Sequence, residues 1–198
     1  VLTLLALYLG RLRHLTFADG LAVIDAIEAV PEALEQVLRT EPVIIEAAEE
    51  LASARSALYL GRDLHYPVAL EGALKLKEIS SLHAEGYPTA EMKHGPIALV
   101  DRETPSVFVA PRGPLHAKTL GNVEEVRARN GPVIAVGTEG DEALSSLCDV
   151  FLPIPDVPEV MQPSLAVVPL QLLAYHVARL RACDIDKPRN LAKSVTVE

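Results

Sequence analysis

Apolar residues recur at two different spacings along the chain, and the change of spacing divides it into two parts. Residues 1–53 carry apolar side chains at helical spacing, interrupted at residues 18–20, at Pro31 and at residues 40–42. This pattern predicts a series of helices joined by short turns. Because no run in this part has the alternation or the β-branched content of a strand, we expect a purely helical segment.

From residue 54 onward, short apolar or β-branched runs alternate with stretches of helical spacing. The predicted strands are 56–61, 106–111, 132–138 and 149–155, and the predicted helices are about 67–85, 114–129 and 163–182. Strands that alternate with helices are typical of a parallel sheet covered on both faces. We therefore predict an α/β fold, a three-layer αβα sandwich over residues 54–186, followed by a tail at residues 187–198 that lacks apolar periodicity.

Composition and charge narrow the classes of partner. The chain has 198 residues, of which 49% are hydrophobic and 23% charged, and this balance predicts a folded core instead of disorder. A formal net charge of −9 argues against a surface that follows the phosphates of nucleic acid. No apolar run reaches the roughly 18 residues needed to cross a bilayer. We expect neither nucleic acid nor a membrane as a partner, and a cytoplasmic location.

Cysteine and histidine spacing gives no sign of a metal centre. Cys148 and Cys183 are far apart and lie in no C-x-x-C context, which predicts two buried free thiols in a reducing compartment. The histidines form neither an H-x-H nor an H-E-x-x-H arrangement, and no acidic cluster has the spacing of a calcium loop. We therefore expect no metal and no cofactor.

One face of the helix predicted near residues 67–85 carries a row of charged side chains. Glu71, Lys75 and Glu78 are spaced i, i+4 and i+7, so they share a narrow sector at about 100° per residue, and Glu85 continues the row. The remaining circumference is largely apolar, so the row is expected to face a cleft. Two hypotheses stay open. The row is either a set of solvated ion pairs worth a few tenths of a kcal/mol each, or a site in which two carboxylates flank an ammonium. In the second case, one of the glutamates accepts a proton from carbon.

A second candidate group lies in the segment after that helix. His94 follows Lys93 in GYPTAEMKHGP (86–96), which has turn formers at both ends, and loops at the carboxyl ends of parallel strands often hold ligands. The histidine is either a structural group or an acid and base near neutral pH, and spacing does not decide between them. The earlier segment GRDLHYP (61–67) lacks the G-x-G-x-x-G and P-loop patterns, so an ordinary βα loop is predicted there.

Several long motifs resemble one known family. LEGALKLKEISSLHAEGYPTAEMKHGP (70–96) and the terminal KPRNLAKSVTVE (187–198), with NVEEVRARNG (122–131) and VPLQLLAYHVA (168–178), strongly resemble the glutamine:fructose-6-phosphate aminotransferases, or glucosamine-6-phosphate synthases. Members of that family have an amino-terminal glutaminase domain followed by two sugar-isomerase (SIS) domains. The chain looks like the carboxyl-terminal SIS domain, a flavodoxin-like sandwich, preceded at 1–53 by helices that trail from the first SIS domain.

The resemblance also implies roles for individual residues. Glu78 matches the glutamate that moves a proton between C1 and C2 of the sugar, a task that one carboxylate can perform at both carbons. His94 matches the histidine that opens the sugar ring in the site of the adjacent subunit. Lys193 matches a tail lysine that forms an imine with the open-chain carbonyl. The supporting or substrate-binding residues implied in the same way are Glu71, Lys75 and Ala192.

The implied partners are a phosphosugar, fructose 6-phosphate or glucosamine 6-phosphate, and a second subunit in a homodimer with shared sites. The chain begins at Val1 inside a helical pattern, so we expect a fragment whose glutaminase and first SIS domains lie elsewhere in the same protein. Without the phosphate loop of that first domain, it would lose several hydrogen bonds of about 1.5–3 kcal/mol each and be nearly inactive alone. The alternative hypothesis is a SIS module that binds phosphosugars or dimerises without chemistry.

Overall fold

A computed structural model describes residues 1–191. Within them the chain forms seven α-helices, two short 3-10 helices and five strands. In chain order these are α1 (Leu2–Arg13), α2 (Phe17–Leu38), α3 (Glu41–Ala52), β1 (Ser56–Gly61), α4 (His65–Ser80), β2 (His83–Pro88), the 3-10 helices Thr89–His94 and Pro96–Leu99, β3 (Ser106–Val109), α5 (His116–Arg127), β4 (Val133–Thr138), α6 (Glu142–Ser145), β5 (Val150–Ile154) and α7 (Gln162–Leu180).

Two of the three breaks predicted between the amino-terminal helices, at residues 18–20 and at Pro31, are wrong. Thr16 and Asp19 form a capping box, in which the Asp19 backbone N–H donates to Thr16 Oγ1 at 3.2 Å, so residues 18–20 lie in the first turn of α2. Pro31 lies inside α2 and does not end it. The helix continues because its second half packs against α7, which offsets the backbone hydrogen bond that a proline removes. The third predicted break, between α2 and α3, is confirmed.

The five strands are all parallel and lie in the order β2-β1-β3-β4-β5, the order of flavodoxin-like folds. Their side chains alternate between two cores. Tyr59 and Val107 face the core formed with α3, α4 and α7, whereas Leu60 and Phe108 face the core formed with α5 and α6. The predicted α/β sandwich is therefore confirmed.

The helix predicted at residues 67–85 is wrong at its carboxyl end. α4 ends at Ser80, and Ser81 takes a left-handed conformation with φ 56°, which closes the helix. The chain then forms the edge strand β2, whose glutamate, glycine and proline content conceals it from a strand pattern. Glu85 consequently lies on β2 and does not continue the charged row of α4.

Two glycines let α4 pack closely against the strands that flank it. A Cβ atom on Gly61 would lie 2.2 Å from the carbonyl oxygen of His65, and one on Gly86 would lie 2.9 Å from Cα of Leu70. Any other residue at either position would push the helix away from the sheet. The first half of α4 is thereby fixed against β1 and β2.

The helical segment and the sheet share one hydrophobic core. Ala33 and Val37 of α2 and Ile44 and Leu51 of α3 are buried together with side chains of α7 and the sheet. This burial of apolar surface supplies the main stabilisation of the contact. The domain limits at residues 1–53, 54–186 and 187–198 stay predictions.

Candidate functional site

The three charged residues of the predicted row lie together on the outer face of α4. Lys75 Nζ is 2.6 Å from Glu78 Oε2 and 3.8 Å from Glu71 Oε1. Their side chains keep between 30% and 40% of their exposure, while the opposite face of the helix is buried in the core. Within this chain the row therefore lies on the outward face of α4, and that it faces a cleft stays a prediction for Glu71 and Lys75.

Electrostatics fix the central ammonium between its two carboxylates. The hydrogen bond to Glu78 raises the pKa of Lys75, burial works in the opposite direction, and the charges of both carboxylates add to the rise. Lys75 is thus a permanent cation near neutral pH. It holds Glu78 through one carboxylate oxygen, Oε2.

A groove of about 490 Å³ opens at the carboxyl end of α4, and Glu78 lies on its rim. This volume falls within the range of small-molecule sites, roughly 300–1,000 Å³. The wall facing Glu78 is the segment after α7. Arg181 of that segment donates from Nε to the Ser80 carbonyl at 3.1 Å and from Nη1 to the Ala52 carbonyl at 2.9 Å. These bonds satisfy carbonyls at the ends of α4 and α3.

The beginning of the predicted tail lies at this groove. Lys187 and Arg189 line it together with Glu78. Ala192 and Lys193, both predicted site residues, lie outside the described residues, so their placement stays a prediction. Among the described residues, the first positions of the predicted tail thus lie at the groove.

His94 lies at the end of a 3-10 helix instead of in an open loop. Met92 of the same helix is fully buried in the core shared with α5, whereas the His94 side chain is 75% exposed and its Nε2 is 4.0 Å from Glu91 Oε2. Because α4 covers the opposite face of the sheet, the structure does not bring His94 to Glu78 within one chain.

A buried polar cluster that the sequence did not predict occupies the carboxyl edge of the sheet. Flavodoxin-like folds commonly bind ligands there, between β1 and β3. Here the cavity has a volume of about 20 Å³, enough for about one water molecule. It is lined by Arg62, Asp63, His65, Val109, Ala110, Pro111, Gly113, Leu115, His116, Thr119 and Glu159.

Asp141 packs against this carboxyl-edge cluster. His116 Nε2 lies 2.8 Å from Asp141 Oδ2, although neither atom has a well-aligned hydrogen bond within the described range. Asp141 also accepts from the Leu144 backbone N–H at 3.1 Å and so caps α6. Arg62 follows β1, His116 follows β3 and Asp141 follows β4. The position of each residue after a neighbouring strand is the feature of the sequence from which this cluster could have been predicted.

Other ionisable groups give no sign of a cofactor. In residues 1–191 no group of three or more His, Cys, Asp or Glu side chains is arranged to hold a metal ion. Both cysteines are free thiols, as predicted, but the prediction that they are buried is wrong, since each is half-buried. Burial raises the pKa of Cys148 to about 12, which makes its thiol unreactive.

A family model for the SIS domain matches residues 50–181. The chain belongs to the SIS domain family. The chain is 51% identical over 198 residues to the glutamine--fructose-6-phosphate aminotransferase [isomerizing] of Chlorobaculum tepidum, a match that covers 100% of the chain and 32% of the relative. A protein of that name from Thermus thermophilus is 50% identical, with 100% of the chain and 33% of the relative covered. The chain thus spans about a third of the length of these curated relatives.

Solved structures agree with this assignment. The C-terminal domain of glucosamine-fructose-6-phosphate aminotransferase from Francisella tularensis superposes with a TM-score of 0.85 at 36% identity, covering 91% of this SIS domain and 51% of that chain. A glucosamine-6-phosphate deaminase from Thermotoga maritima gives a TM-score of 0.71 at 25% identity, covering 98% and 56%. The family resemblance predicted from the motifs is confirmed. Among the described residues, the helices are too short or too polar to cross a membrane.

Proposed function

We propose that this SIS domain is part of the isomerase half of an enzyme of hexosamine biosynthesis. The enzyme makes glucosamine 6-phosphate from fructose 6-phosphate and glutamine-derived ammonia. The observation that carries the proposal is the Glu78 carboxylate, held by Lys75 at 2.6 Å on the rim of a groove whose facing wall leads into the tail. Whole-chain identity of about 50% to aminotransferases of that activity supports it.

In the proposed reaction Glu78 is the base that moves one proton between neighbouring carbons. It takes a proton from C1 of the ketose imine, and the electron pair moves into a C1–C2 double bond as the imine nitrogen gains a proton. Return of the proton to C2, as the C1 hydroxyl loses its own, leaves an amine on C2 and an aldehyde at C1. Lys75 orients the carboxylate for both transfers, and Glu71 holds Lys75 from the other side.

The remaining catalytic roles involve Ala192 and Lys193, which lie outside the described residues, and a second subunit. Lys193, with Ala192 as a supporting residue, forms an imine with the open-chain ketose carbonyl and releases water. Ammonia then displaces the lysine amine and gives the ketose imine on which Glu78 acts. His94 opens the sugar ring in the site of a second subunit, which fits its exposure on the face of the sheet away from α4. The working protein is accordingly a cytoplasmic homodimer that includes glutaminase and first SIS domains, and the chain alone is nearly inactive.

Replacement of Glu78 tests the proposal. In the full-length protein, Glu78→Gln should lower the interconversion of fructose 6-phosphate and glucose 6-phosphate without glutamine by about 100-fold or more, because general base catalysis is lost. Glu49→Gln, at an exposed glutamate of α3, is the matched control and should keep wild-type turnover.

The outcome also separates the alternative hypothesis of a non-catalytic module. Such a module would bind fructose 6-phosphate normally and tolerate replacement of both Glu78 and Lys193. Wild-type turnover in Glu78→Gln would eliminate the catalytic role assigned to this carboxylate.

A further inference from the structure

A polar network connects the loop after β1 with the 3-10 helix that carries His94. Arg62 Nη2 donates to Asn122 Oδ1 at 2.9 Å, and Asn122 Nδ2 donates to Glu125 Oε2 at 3.1 Å. Lys93 Nζ lies 2.6 Å from the other oxygen of that carboxylate, Glu125 Oε1. Three segments far apart in sequence are joined in this way.

Glu125 is the centre of the network. Burial raises its pKa, but hydrogen bonds from Lys93 and Asn122 and the charges of Lys93 and Arg129 outweigh burial, so the pKa lies below its usual range. The carboxylate is therefore ionised near neutral pH. Each of its oxygens has a partner, and Asn122 beneath it is buried, so the group is a fixed anchor on α5.

The short helix Thr89–His94 is held from two sides. Thr89 and Met92 are fully buried and hold its inner side against the core. Lys93 holds its outer side through the ion pair with Glu125. Because 3-10 helices have poorer backbone hydrogen bonds than α-helices, side-chain anchors have a large part in their orientation. His94 is the residue that directly follows both anchors.

We infer that Glu125 is a positioning residue for His94, acting through Lys93. The ion pair sets the direction in which the exposed imidazole leaves its helix, and hence its geometry for opening a sugar ring. This inference rests on the proposed function, since it takes ring opening as the task of His94.

A sugar that needs no ring opening tests the inference in the full-length protein. Fructose 6-phosphate closes its ring through the C5 hydroxyl, so the 5-deoxy analogue stays open. Glu125→Ala should slow turnover of fructose 6-phosphate by about tenfold, the usual scale of coupling between contacting residues, and leave turnover of the analogue near wild type. His94→Asn should show the same selectivity. Glu124→Ala, at an exposed glutamate of the same helix, is the matched control and should leave both rates unchanged.

Two further variants separate positioning from general stabilisation. Lys93→Met removes the other half of the ion pair at a 59% exposed side chain, and it should repeat the selective loss even if Glu125→Ala does not fold. In a His94→Asn background, Glu125→Ala should cause no additional loss with fructose 6-phosphate.

The outcomes distinguish this inference from the proposed function. Equal slowing of both sugars by Glu125→Ala and Lys93→Met, or no slowing of either, would overturn the positioning role while His94→Asn stays selective. Equal slowing of both sugars by His94→Asn itself would overturn the ring-opening role on which the inference rests.

Discussion

The outer row of α4 and the carboxyl-edge cluster contain similar side chains in opposite environments. Glu71, Lys75 and Glu78 keep between 30% and 40% exposure, and Glu78 borders a groove of about 490 Å³. His116 is 15% exposed and adjoins a cavity of about 20 Å³, and its neighbour Asp141 is 4% exposed. Among residues 1–191, the groove beside Glu78 therefore has room for a small molecule, whereas the cavity at the carboxyl edge holds about one water molecule.

This difference shows that the location of a site does not follow from the fold alone. The position between β1 and β3, where flavodoxin-like sheets commonly bind ligands, is filled here by the domain's own side chains. The charged groups with room for a ligand stand on the outer face of a helix. We expect the carboxyl-edge cluster to affect stability without affecting chemistry, and the outer row to do the reverse.

The largest expected effect concerns Asp141. Asp141→Ala removes the buried carboxylate that caps α6 and packs against half-buried His116, so the free energy of unfolding of the chain should fall by about 2 kcal/mol. Urea unfolding measures the loss, with Glu142→Ala at an exposed neighbour as the control. Turnover of the full-length variant at low temperature should stay near wild type. A variant that keeps full stability but loses turnover would contradict the expectation that the carboxyl-edge cluster affects stability and not chemistry.

The second effect concerns Lys75, where stability should hardly change. Lys75→Met keeps the length of the side chain but removes the charge that orients Glu78, so sugar isomerisation by the full-length protein should fall about tenfold. The free energy of unfolding of the chain should change by less than about 0.5 kcal/mol, since the ion pairs are half-exposed. Lys77→Met, on the same helix but off the row, is the control. Loss of stability with unchanged turnover would contradict this assignment.

The smallest expected effect is the pH dependence contributed by His65 in the carboxyl-edge cluster. Burial lowers the pKa of His65, and Gln162 and the charges of Glu159 and Asp63 offset it only in part. Below the ordinary value of 6.5 the unfolded chain therefore binds a proton that the folded chain does not, so stability falls as the pH drops from 6.5 into the acidic range.

Comparison with a variant isolates that contribution. His65→Asn should show a shallower loss of the free energy of unfolding over the same interval, measured by urea unfolding at a series of pH values. Identical slopes for the two proteins would show that His65 takes up its proton equally well when folded.

The sequence predicted those parts of the fold that depend on local pattern. Short apolar or β-branched runs located β1, β3, β4 and β5, and the spacing of Glu71, Lys75 and Glu78 placed them correctly on one helical face. β2 was missed because an edge strand beside α4 needs Gly86 for close approach, and that requirement is tertiary. The same error wrongly assigned Glu85 to the row.

Contacts between distant segments were not predictable in this way. Arg62 donates a hydrogen bond to Asn122, which lies 60 positions later in the chain, and Lys93 forms an ion pair with Glu125 of α5. These pairs depend on strand order and on which helix covers which face, and neither property is encoded in local spacing. Whether the row faces solvent or a ligand likewise depends on what lies over α4. The spacing of residues along α4 gives no information about that neighbour.

The glycine contacts of α4 determine which wall of the groove can adapt to a ligand. At Gly61 and Gly86 the helix backbone lies so near the strands that a Cβ atom would come within 2.2 Å and 2.9 Å of it, so α4 has no space to retreat toward the sheet. The opposite wall is tied to α4 at the Ser80 carbonyl by the side chain of Arg181. Adaptation to a ligand would therefore come from the part of that wall beyond Arg181, which includes Lys187 and Arg189, while the helix of Glu78 stays fixed.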